Sequence, residues 1–166
     1  MTEPVRIVAY DAAWPERFEE ERAALEEAIG PWVTGGVHHV GSTAVPGLAA
    51  KPVIDILVGV EGLEESLLSF ERLVALDYLY SPYRHEEMHW FVKPDPNHRT
   101  HQLHLVPTDS PRFRMELRFR DVLRGDPALA GEYAALKAEL AERFENDREG
   151  YTKAKTAFVT RVLLGG

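Results

Sequence analysis

The stretch His39–Val58, HVGSTAVPGLAAKPVIDILV, decides how the rest of the chain is read. It runs on into Gly59–Val60, so that Val53 to Val60 reads VIDILVGV, with Asp55 as its only ionisable residue. An apolar run of this length, preceded by two prolines and two glycines between Gly41 and Pro52, fits a strand covered on both faces. Alternation along a strand places Val53, Asp55 and Leu57 on one face and Ile54, Ile56 and Val58 on the other. Upstream, Val37 to Val40 reads as a second strand, and Gly41–Ser42–Thr43 follows it at once.

Outward from this centre, Val5 to Tyr10 reads as a short strand or an ordered arm. A helix opens with Pro15 in its first turn, carries a broken apolar stripe of Phe18, Leu25 and Ile29, and stops at Gly30–Pro31. Beyond the central strand, Leu63 to Leu76 fits an amphipathic helix with Leu67, Phe70, Leu73 and Val74 facing inward. Short strands are expected within Tyr78–Tyr83 and over Met88–Lys93, the latter cut by the Pro94–Asn97 turn, and a further strand over His101–Val106. Ser110–Pro111 and Asp126–Pro127 then read as starts of two helices, and a last helix is expected over Tyr151–Leu164. Strands followed by helices predict an α+β fold: a mixed β-sheet packed against helices over about residues 1–107, with a helical C-terminal part over about 111–164. With no linker or repeat in its 166 residues, the chain reads as one domain over 1–166.

Composition narrows the chemistry. The chain has no cysteine, which excludes disulfides, thiolate catalysis and sulfur-ligated metal centres. Its net charge of −8 disfavours a large nucleic acid or an anionic membrane as partner. The first residues, MTEPVRIVAYD, have neither a basic nor an apolar leader segment, and the expected location is the cytoplasm.

A carboxylate such as Asp55 inside an apolar strand must be solvated in a cleft, paired, or bound to a metal, because an unpaired buried charge is costly. Gly41, Ser42 and Thr43 form a turn whose amides and hydroxyls can hold a phosphate. In RTHQLHLV, parity puts Gln102 and His104 on one face and His101 on the other with Leu103 and Leu105, so His101 and His104 are not expected to share a metal. His104 is a candidate base, metal ligand or phosphate contact. The segment Pro111–Arg124 holds five arginines against Glu116 and Asp121. At helical spacing Arg114 and Arg118 share a face, as do Arg120 and Arg124, while Arg118 and Arg120 diverge. Tyr133/Lys137 and Tyr151/Lys155 also have i, i+4 spacing, which fits ordinary packing of a tyrosine with a snorkelling lysine.

The arrangement HVGSTAVPGLAAKPVIDILV, with RTHQLHLV, LRFRDVLRGDP, EYAALK and YTKAK, resembles the GrpB family of the nucleotidyltransferase superfamily across nearly the whole chain. The resemblance implies a nucleotidyltransferase-like fold. It also implies that Gly41–Ser42 helps hold nucleotide phosphates and that Asp55 is one metal carboxylate. The pattern departs at position 57, which is Leu where the superfamily has a second acid, and at Gln102, where relatives commonly have histidine. The functional expectation is nucleotidyl transfer to a hydroxyl acceptor. Asp55 and His104 act in catalysis and hold a divalent cation, Mg²⁺, Mn²⁺ or Zn²⁺. Gly41, Ser42, Thr43, Lys51, Arg99, Arg118 and Arg120 contact the phosphates of a nucleotide or phosphorylated small molecule. The alternative is a non-catalytic module that binds the same ligand.

Overall fold

The computed structural model describes residues 6–82 and 84–165. Val5 and Tyr83, at the ends of two expected segments, lie outside them. Helix α1 (Trp14–Ile29) leads through a short 3-10 turn into β1 (Val33–Val40), and the loop 41–53 leads into β2 (Ile54–Val60). A 3-10 segment (Glu65–Ser69) runs into α2 (Phe70–Val74), followed by β3 (Leu79–Tyr80), β4 (His89–Asp95) and β5 (His98–Pro107). Three helices close the chain: α3 (Pro111–Gly125), α4 (Pro127–Arg143) and α5 (Arg148–Gly165). The sheet has the order β1-β2-β5-β4-β3, with β2 and β5 parallel and the other neighbours antiparallel, which makes it mixed as expected. No helix among the described residues is long and apolar enough to cross a membrane.

The expected parity of β2 organises both layers. Ile54, Ile56 and Val58 face one side with Leu103, Leu105 and Phe91, and α1 packs there through Trp14, Phe18, Leu25 and Ile29. The break in the α1 stripe is Glu21, which is itself only 8% exposed and accepts from Tyr78 Oη (2.9 Å) and Lys93 Nζ (2.6 Å). Leu57, Val40 and Val106 face the other side, under Phe113 and Leu117 of α3. A third cluster joins α3–α5 to the loop 41–53 through Leu123, Tyr133, Phe158 and Val162 against Val45 and Leu48. Ser110 Oγ accepts from the Phe113 amide and Asp126 Oδ1 from the Leu129 amide, capping α3 and α4 as read from the sequence.

Two expectations are corrected. Leu67 and Val74 do not face inward: they are 50% and 59% exposed, while Leu73 is fully buried. The segment opens as a 3-10 helix with about three residues per turn, so its buried face passes through Ser66 and Ser69 instead of the stripe an α-helix would present. Strand β4 also continues through Pro94 to Asp95 and pairs with His98 and Arg99, so the turn is confined to the residues between the two strands.

Candidate functional site

The site forms where β1 ends beside β2. Val40 pairs with Asp55, so the chain leaving β1 passes directly over the Asp55 side chain. Gly41 takes φ 74° and ψ −175° there, and a Cβ at this position would overlap Asp55 Oδ2. Glycine is therefore required by the backbone and by the closeness of the carboxylate. Asp55 keeps partial solvent access at the floor of this turn. Burial pushes its carboxyl above the usual range, against the pull of His104, Lys155 and Lys51.

The neighbouring strand β5 supplies a polar frame on the same face. Gln102 lies opposite Asp55. Oriented so that both ends of its amide are satisfied, it donates to Asp55 Oδ1 (2.8 Å) and accepts from Arg99 Nη1 (3.2 Å). Two residues on, His104 Nδ1 lies 3.0 Å from Glu116 Oε1, and Arg112 lies 3.5 Å from the other Glu116 oxygen. Burial works against a charged imidazole, but Glu116 and Asp55 outweigh it and hold the His104 pKa above its ordinary value. Burial likewise opposes the Glu116 carboxylate, and His104 and Arg112 overcome it to lower that pKa. The result is a buried ion chain, continued from Arg112 to Glu87 at 3.3 Å. Trp90 stands across from His104, with the Arg99 guanidinium 5.2 Å above its ring.

The opposite wall comes from the helices and the loop. Tyr133 of α4 faces Ser42 and Asp55; burial and the Asp55 charge push its hydroxyl pKa up, and the Ser42 contact opposes them. Lys137, one turn on, is 3% exposed, donates from Nζ to the Ala49 carbonyl (3.0 Å) and lies 5.0 Å from the Tyr133 ring centroid. Burial and the nearby Lys155 and Lys51 cations bring its pKa down to about 7, although Asp55 pulls the other way. Lys51 and Lys155 both lie over the Tyr151 ring, at 5.9 and 5.6 Å. Three lysines, from the loop, α4 and α5, thus converge on one aspartate.

Among the residues expected from sequence, the fold gathers Gly41, Ser42, Lys51, Asp55, Arg99 and His104. It does not bring Thr43, Arg118 or Arg120 to them. The Thr43 hydroxyl is buried between His39 Nε2 (2.9 Å) and the Val53 carbonyl (3.1 Å). Arg118 lies on the exposed side of α3, and Arg120 points to the β1 edge, where it donates to the His39 carbonyl (3.3 Å) and pairs with Asp121. Tyr133, Lys137, Tyr151, Lys155 and Glu116 belong to the site although sequence reading left them as packing or surface charge. The four helical residues repeat a Tyr-x-x-x-Lys pattern on successive helices, a spacing that does not by itself separate a site from packing. Among the described residues, no group of three or more His, Asp and Glu could hold a metal ion.

The family model described as GrpB protein matches residues 4–164. The chain belongs to the GrpB family. It is 34% identical over 155 residues to the UPF0157 protein YqkA of Bacillus subtilis, covering 93% of this chain but only 45% of that protein. It is 37% identical over 164 residues to the glutamate-rich protein GrpB of Alkalihalophilus pseudofirmus, covering 96% and 94% of the two chains. The crystal structure of the conserved protein GrpB from Enterococcus faecalis superimposes with a TM-score of 0.80 at 32% identity, covering 95% of this chain and 99% of that one. More distantly, the GLD-2/RNP-8 complex gives a TM-score of 0.58 at 14% identity (96% and 62% covered). Cid1 in complex with the UTP analogue UMPNPP gives 0.52 at 18% (82% and 41%). At these identities the likeness shows the fold alone, a distant relationship to nucleotidyltransferase-fold proteins.

Proposed function

We propose that this GrpB protein binds a nucleoside triphosphate at the Asp55 site and transfers its nucleotidyl group to a hydroxyl acceptor. The observation that carries the reading is the charge imbalance around Asp55. Among the described residues, the one carboxylate faces the Lys137 and Lys155 ammonium groups, with Lys51 beside them over Tyr151, while the His104 charge is already matched by Glu116. Crowding a buried and a half-buried cation around a single acid is unfavourable unless an anion completes the set, and a triphosphate chain supplies such charge. Ser42 at the turn and Arg99 beside Gln102 add donors at the rim. In the transfer, the acceptor hydroxyl gives its proton to water as its oxygen bonds to the α-phosphorus and the bond to pyrophosphate breaks, and the lysines stabilise the charge leaving on pyrophosphate. A divalent cation such as Mg²⁺, Mn²⁺ or Zn²⁺ would be held by Asp55, with His104 behind it in its pair with Glu116, and would supply neutralisation of phosphate charge.

The test is a thermal-shift screen of nucleotides with and without each metal, on the wild type and Asp55→Asn. Nucleotide is expected to raise the melting temperature, and the metal-dependent part to vanish in the variant. No shift with any nucleotide would sink the reading.

A second reading, a binding module without turnover, is favoured by Leu57. The position that would present a second acid is fully buried beneath α3. Pyrophosphate release in the presence of candidate hydroxyl acceptors separates the two.

A further inference from the structure

Two arginines of the basic helix α3 that the Asp55 site does not use, Arg120 and Arg124, line the β1 edge of the molecule. β1 is the outermost strand of the sheet, and at its edge α1 and α3 flank a cleft of about 240 Å³. Pro15 and Phe18 form its apolar wall, and Arg120 and Arg124, one helical turn apart, form its polar wall. Arg124 donates from Nε to the Ala44 carbonyl (2.8 Å), and its two terminal nitrogens make no hydrogen bond among the described residues. Arg120 donates to the His39 carbonyl and shares its remaining edge with the exposed Asp121. Glu19, the one acid lining the cleft, is already held by Arg22 at 2.6 Å.

The positive field in this cleft leaves a mark on its neighbour. His39, stacked on Phe18 with ring centroids 4.9 Å apart, has its pKa lowered to about 4 by burial and then by Arg124 and Arg120. Arg124 itself is destabilised by burial and by Arg120. Two guanidinium groups one helical turn apart, beside Pro15 and the edge of the 6% exposed Phe18, match an oxyanion attached to a small apolar group.

We infer that the cleft between α1 and α3 is a second anion site, taking the phosphate of a small phosphate monoester on Arg120 and Arg124 and its apolar part on Phe18. The site is independent of the nucleotide reading. Its occupant would press on both ends of the Ser42 turn, because Arg120 holds the strand that enters it and Arg124 the carbonyl that leaves it.

The decisive experiment follows arginine Nε–Hε resonances of the whole chain during titration with phenyl phosphate at constant ionic strength. The Arg124 signal is identified by its loss in Arg124→Lys. The Arg120 and Arg124 signals are expected to move together, and Arg124→Gln to weaken the apparent Kd roughly tenfold or more. Asp55→Asn and Lys137→Met are expected to titrate like the wild type. Inorganic phosphate is expected to bind more weakly than phenyl phosphate, and equal affinity would overturn the Phe18 contact. Immobile Arg120 and Arg124 signals, or binding lost in Lys137→Met and kept in Arg124→Gln, would overturn the site. The assignment needs only the charge-conserving Arg124→Lys, so failure of Arg124→Gln to fold leaves the proposal testable on the wild-type titration.

Discussion

The two faces of the sheet each carry an acid met by a tyrosine, a histidine and lysine, and the two clusters differ in their balance of charge. On the α1 side, Glu21 is satisfied by Tyr78, Lys93 and His101, at 2.9, 2.6 and 3.7 Å. One carboxylate meets one ammonium, and burial lowers the His101 pKa despite the pull of Glu21. That cluster is closed. On the α3 side, Asp55 faces Tyr133, His104 and, among the described residues, the Lys137 and Lys155 cations, with Lys51 beside them. The same residue types make a structural clamp where charges balance and, in the proposed reading, a receptive site where they do not.

The sharpest way to break this comparison is Glu21→Ala. It leaves Lys93 and the Tyr78 hydroxyl buried without their acceptor, and is expected to cost about 3–5 kcal/mol in urea unfolding. Nucleotide binding by the folded fraction should be unaffected. Gly41→Ala is next. Its φ of 74° and the overlap with Asp55 make a side chain there cost about 1–3 kcal/mol. Unlike the Glu21 change, it should also displace the carboxylate and abolish the metal-dependent thermal shift. Lys137→Met should do the reverse of Glu21→Ala. Removing one of three crowded cations should raise stability by about 1 kcal/mol. The affinity for tripolyphosphate, measured by calorimetry, should nevertheless fall roughly tenfold.

A further effect, spread over several pH units, is one of pH. The Lys137 pKa is lowered to about 7 in the fold, against an ordinary 10.5. Between these values the unfolded chain binds the extra proton, so stability rises with pH across the window and the penalty is complete below it. Urea unfolding should show an increase of at most about 1.4 kcal/mol per pH unit in the wild type, and Lys137→Met should lack it.

Much of this was legible in the sequence. The alternation of VIDILVGV and RTHQLHLV separated Asp55 from Ile54 and Ile56, and Gln102 and His104 from His101, because strand parity is a local property; that the two polar faces coincide follows only from the pairing of Asp55 with Gln102. Ser110 and Asp126 marked their helices for the same reason. The lysine wall was not legible. A Tyr-x-x-x-Lys pair has the same spacing whether its stem packs in a core or its amine lines a site, and only the convergence of loop, α4 and α5 separates the two. Glu116 was hidden by the local positive charge around it, since its partner His104 comes from another element. Leu67 and Val74 misled because a 3-10 turn shifts the phase that an α-helical template assumes.

The closeness of Tyr133, Lys137, Tyr151 and Lys155 to the aspartate has one more consequence. These side chains belong to the last two helices, yet the charge they surround sits on a strand of the sheet. Mutual repulsion among the ammonium groups strains the seam between the two parts, and a polyanion lodged there would act as mortar. Occupancy by such a polyanion and cohesion of the chain's final third would then be one equilibrium, read equally well from either side.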